Sequence, residues 1–153
     1  MTCKRFAAAA LASLLAFTAA AHGDAPADPS DPVSLRMHMM KNVGASMGMA
    51  VKMVKGEEAY DPRVAEAAFR VMNTAALGIG AQFPEGSTHG DSEASPKIWS
   101  DRAGFDAAVA KFIADTAGAA AAKPATLDDF RPIFGQVAGN CKSCHEGYRV
   151  KKN

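Results

Sequence analysis

The sequence predicts an all-α protein, an antiparallel four-helix bundle. Four stretches repeat apolar or small residues at alternating spacings of four and three, the signature of one buried helix face. Three of these stretches open on a recognisable helix cap. Strand signals are nearly absent, with no long alternating β-branched run. The chain has 153 residues, enough for one domain and one sizeable core.

The beginning of the chain is not part of that fold. Lys4 and Arg5 precede an apolar run from Phe6 to Ala21 that is rich in Ala and Leu. The run ends on the small residues Ala19, Ala20 and Ala21, as a signal peptidase requires. It is too short and alanine-rich for a good membrane anchor. Residues 1–21 therefore read as a secretory signal peptide, and 22–32 as an Ala/Asp/Pro-rich mobile leader before a bundle domain over 33–153. The expected location is the periplasm, with no membrane attachment after signal removal. Cleavage takes Lys4 and Arg5 and no acidic residue. The 17 basic residues fall to 15 against 16 acidic ones, a formal charge of about −1 that gives no general attraction to nucleic acid.

The first helix is expected from about Val33 to Lys55. Asp31 caps it, Pro32 takes the first turn and Gly56 stops it. Its predicted inner face is Val33, Met37, Met40, Gly44, Met47, Val51 and Val54. The second opens on Asp61-Pro62, places Ala65, Phe69, Met72, Ala76 and Ile79 on one face, and ends near Gly78 or Gly80. A Gly/Ser/Pro-dense loop, "FPEGSTHGDSEASP", follows. The third helix runs from about Asp101 to Ala122 with Phe105, Val109, Phe112 and Thr116 in register. The fourth starts at a capping box of Thr126 and Asp129 and continues through Phe130, Phe134, Val137, Cys141, Cys144 and Tyr148.

The fourth helix carries "CKSCH", Cys141 to His145. With Cys3 removed, Cys141 and Cys144 are the only cysteines left in an oxidising compartment. Three residues apart on a helix, they lie about one turn apart and nearly one above the other. Two thiols so placed can add to the two vinyl groups along one edge of a porphyrin, and His145 can then reach the iron. This is the attachment signature of c-type haem. A zinc site would need a second pair of ligands, which the sequence lacks. A thioredoxin-like pair would follow a strand, and no strand is predicted. The expected cofactor is one covalently attached haem c.

A haem motif near the C-terminus of an exported four-helix chain resembles the class II c-type cytochromes, the cytochrome c' family. The resemblance spans about Val33 to Lys152. It rests on Arg36 followed by Met40, on "VKGEEAYD" (Val54 to Asp61), on "PKIW" (Pro96 to Trp99) and most specifically on "CKSCHEGYR" (Cys141 to Arg149). Many members carry a tryptophan near the end of the second helix, where this chain has "GIGAQF". The family's distal position lies four residues after an arginine on the first helix, which makes it Met40. The resemblance implies that Arg36 pairs with a haem propionate, that Met40 lies over the iron opposite His145, and that Arg149 lines the His145 side. It further implies that bundles pair as homodimers through their first two helices.

The cluster "RMHMMK" at 36–41 bears on the same site. Successive helical residues point about 100° apart, so Met37, His38, Met39 and Met40 cannot converge on one copper ion while the helix holds. Met37 and Met40 are expected on the inner face. Low-spin family members present methionine at the distal position, and His/Met ligation suits electron transfer. The expectation is an electron carrier with Met40 as sixth ligand and no enzymatic activity. The alternative is a five-coordinate protein binding nitric oxide or carbon monoxide. Redox partner proteins, unidentified, would dock on a basic haem edge made by Lys41, Lys142, Arg149, Lys151 and Lys152. His22 and His89 have no partner that the sequence reveals.

Overall fold

The computed structural model describes residues 28, 30–90 and 92–150. The expected signal peptide, His22, and Lys151 and Lys152 lie outside them. Four long helices form the bundle: α1 (Pro32–Lys55), α2 (Pro62–Ile79), α4 (Arg102–Ala122) and α5 (Leu127–Tyr148). A short α3 (Lys97–Ser100) sits in the α2–α4 connection. Helix α1 packs on α2, α2 on α4, α4 on α5 and α5 on α1, which closes the bundle. The short links α1–α2 and α4–α5 make those neighbours antiparallel.

The caps fall where the sequence places them. Asp31 accepts from the Val33 and Ser34 amides, and Gly56 closes α1 in the left-handed conformation at φ 75°. Asp61 caps α2 and Asp101 caps α4. The end of the leader is part of the start of α1: Pro32 is helical, and Ser30 bonds back to Asp28. At the start of α5 the Asp129 amide donates to Thr126 Oγ1 as expected. The return bond differs, because the Thr126 hydroxyl itself donates to the Asp129 carboxylate at 2.7 Å.

The core gathers around Phe69, Met72, Phe130 and Val137, all 0–1 % exposed. Phe130 stacks on Phe134 and meets Phe69 and Tyr60 at tilted angles. The predicted face of α2 is buried as written. The predicted face of α1 is displaced by one residue along most of its length. Its buried line is Val33, Arg36, Val43, Ser46, Ala50 and Met53, with Met40, Met47, Val51 and Val54 half-buried beside it. Gly44 is exposed, as is Met37. Arg36 and Ser46 interrupt the buried line with polar residues, so the periodicity picks out the apolar flanking residues instead. On α4, Phe105 and Thr116 are buried while Val109 and Phe112 are only half-buried, because they face a cavity.

The candidate haem site

A cavity of about 560 Å³ opens between α1, α4, α5 and the connection that follows α2. Helix α5 contributes Cys141, Cys144 and His145, α1 contributes Met37, Met40 and Lys41, and α4 contributes Phe105, Val109 and Phe112. The fold thus brings His145 and Met40, more than a hundred residues apart in sequence, to the walls of one space. The methionines fan as the helix geometry requires. Met37 and Met40 border the cavity, whereas Met39, expected to point elsewhere, packs against the core with its Cε beside Gly78 of α2.

Cys141 and Cys144 are not joined to each other and lie half-buried along the cavity. Burial raises both thiols above their ordinary value before a haem is attached. Burial also lowers His145, as does the nearby Arg149 guanidinium, while Glu93 acts in the opposite sense. The imidazole is kept neutral, with a lone pair free for a metal. Paired thiols, a neutral imidazole and a mostly apolar space fit a covalently held haem.

Arg36 is only 4 % exposed and lines the cavity. Its Nη1 donates to the Gln82 carbonyl at 2.9 Å and to Ser87 Oγ at 2.8 Å. Its Nη2 donates to the Ser87 carbonyl and to Ser92 Oγ, both at 2.5 Å. The guanidinium also lies 4.5 Å over the Phe83 ring. Its four terminal hydrogens are thereby committed to the loop, which leaves Nε as the donor available to a propionate. All four acceptors are uncharged, so the buried site keeps its positive charge, which suits an anionic group of the cofactor. His89 finds a partner after all: its Nε2 lies 2.9 Å from Oδ1 of the capping Asp31, which adds a second tie between the loop and α1. Trp99 anchors the far side of the same loop, donating to the Pro84 carbonyl at 2.9 Å.

Arg149 is the first residue past α5 and is in extended conformation. Its amide still reaches the His145 carbonyl, and its side chain pairs with Glu93. No signal local to the sequence marks Glu93, because its partner is 56 residues away. The expected basic edge is partly neutralised: Lys142 lies 3.8 Å from Glu146, and Arg149 is matched by Glu93. No helix among the described residues is long and apolar enough to cross a membrane.

The family described as Cytochrome C' matches residues 31–149. The chain belongs to the cytochrome c' family. Cytochrome c' of Rhodopseudomonas palustris is 36 % identical over 128 residues, covering 81 % of this chain and 85 % of that protein. Cytochrome c-556 of Agrobacterium tumefaciens is also 36 % identical, covering 78 % of this chain and 98 % of that one. Among solved structures, cytochrome c' from R. palustris superposes with a TM-score of 0.77 at 34 % identity, over 81 % of this chain and 99 % of that one. A nitric oxide complex of a mutant cytochrome c prime from Alcaligenes xylosoxidans superposes at 0.72 and 35 % identity, over 82 % and 98 %. As a cytochrome c' family member, this four-helix bundle is a monohaem c-type cytochrome with one covalent haem c, and Cys141 and Cys144 have the spacing of its attachment motif.

Proposed function

We propose that this cytochrome is a periplasmic protein that takes a small diatomic gas at its haem iron, on the side facing α1. The observation that carries the reading is the cavity itself, whose α1, α4 and loop walls present Met40, Val43, Val109 and Phe83 to the space facing His145. Such walls are largely apolar and admit a small apolar ligand, with the Met40 thioether as the one group among those four able to bind the iron in its place. The relatives support this reading better than the carrier reading. Several bear the name cytochrome c', and a similar structure was solved with nitric oxide. His145 serves as the ligand from α5, Cys141 and Cys144 as the covalent anchors, and Arg36 as the buried positive charge of the site. No residue is assigned a catalytic role.

Met40 carries a second reading. Its thioether is half-buried on the α1 wall, and a thioether opposite an imidazole raises the reduction potential and suits electron transfer to partner proteins. A homodimer is compatible with either reading, and exposed Val64 and Val71, two turns apart on α2, support it.

The visible spectrum of the purified protein, with and without carbon monoxide, separates the two. The gas-binding reading expects a high-spin spectrum, direct carbon monoxide binding, and little change in Met40→Leu, a swap of similar volume. A low-spin wild type that binds carbon monoxide only after Met40→Leu would overturn it in favour of the carrier.

A further inference from the structure

Residues 92–95 form a strap that reaches both walls of the cavity. Ser92 is 7 % exposed and is held to α1 through the bond from Arg36. Beyond it, Ala94 pairs with Arg149 in an antiparallel bridge. The Val150 amide donates to the Glu93 carbonyl at 2.9 Å, and the Ser95 amide to the Tyr148 carbonyl at 3.0 Å. Across this bridge the Arg149 guanidinium, through Nε and Nη2, contacts Glu93 Oε2. Glu93, Arg149 and His145 all border the cavity.

We propose that Glu93 is a positioning residue for the haem: it holds Arg149 in an ion pair on the strap and so sets the net charge beside the iron on the His145 side. Arg149 lies just past the helix in extended conformation, and its bridge to Ala94 sets it against the strap segment that carries Glu93. The functional consequence follows from charge. On oxidation the iron gains one positive charge. A lone cation nearby disfavours that gain and a lone anion favours it, while a close pair does neither. The side chains are 43 % and 30 % exposed, so the influence of each charge is reduced by solvent and salt without being abolished. The inference requires only the attached haem c, and it holds whether a gas or Met40 takes the sixth position.

The test is the reduction potential of the haem-loaded protein in four forms: wild type, Glu93→Gln, Arg149→Gln and the double variant. Glu93→Gln leaves Arg149 unbalanced and raises the potential. Arg149→Gln removes the positive charge of the pair and lowers it. The double variant carries no charge at either position and returns close to wild type. Single variants that leave the potential unchanged, or shift it in the same direction, overturn the proposal. Hydrogen exchange at the Val150 amide shows whether the strap stays closed in each form. If Glu93→Gln opens the strap, the sign of the shift in Arg149→Gln decides alone: a lowered potential supports the assignment, and an unchanged or raised one refutes it. Spin state and carbon monoxide binding, which decide the sixth position, are separate readouts, so a failure here leaves those readings standing.

Discussion

Arg36→Met asks whether one side chain holds the loop that walls the haem cavity. Methionine keeps an apolar stem against Phe83 and provides no donor. Four hydrogen bonds disappear, two to Ser87, one to Gln82 and one to Ser92. A bond from a charged donor contributes about 1.5–3 kcal/mol, but the four do not add. Gln82 and Ser87 lie in part-buried surroundings and regain water once the loop loosens, whereas the bond to Ser92 is buried. Taking about 2 kcal/mol for Ser92 and about 2 kcal/mol for the other three together gives a gross loss near 4 kcal/mol. Burial lowers the Arg36 pKa, a sign that desolvation already costs the native state, and removing the charge recovers part of the loss. The expected net loss is about 3 kcal/mol, a fall in Tm on the order of 10 °C for a domain of this size. Urea unfolding of the haem-loaded protein, followed by far-ultraviolet circular dichroism, measures it. A loss below about 0.5 kcal/mol, the level of an ordinary surface substitution, would show that the loop is held by other means. Arg36→Lys should fall between the two, because a point ammonium cannot reproduce the planar fork.

Gly104→Ala should destabilise by about 1–3 kcal/mol, since a Cβ there would lie 2.5 Å from Tyr148 Oη and 2.6 Å from Oδ2 of the capping Asp101. Gly78→Ala meets only the flexible Met39 Cε at 2.9 Å and should cost clearly less, so equal melting temperatures for the two variants would contradict the packing described. Hydrogen bonds from Lys111, Asn140 and Gln136 hold the Asp115 carboxyl below its ordinary value of 3.8. A depressed carboxyl contributes stability that is complete above that ordinary value and is lost as pH falls through the lower, folded value. Asp115→Asn should therefore lower stability at pH 7 and flatten its decline below about pH 4, and an unchanged acid-unfolding profile would show that the Asn140 network adds nothing.

Several features of this protein were legible in the sequence because they depend on neighbours along the chain. A helix cap is a contact between residues two or three apart, and Asp31, Asp61 and Thr126 all cap where they were expected. The haem attachment motif is likewise a spacing within one helical turn, so Cys141, Cys144 and His145 could be read before any fold was known. The buried face of α2 was readable because its inward residues are all apolar, with Phe69, Met72 and Ile79 marking the line. Tertiary structure alone decided the rest. The deepest line of α1 runs through Ser46 and Ala50, whose burial depends on how closely the neighbouring helices approach. Arg36 is buried, against the habit of a charged residue, because acceptors from a loop 46 to 56 residues away converge on it. Glu93 meets Arg149, and His89 meets Asp31, across similar distances along the chain. Charges and hydrogen bonds act through space over a few ångströms, and only the folded path of the loop brings those partners within that range.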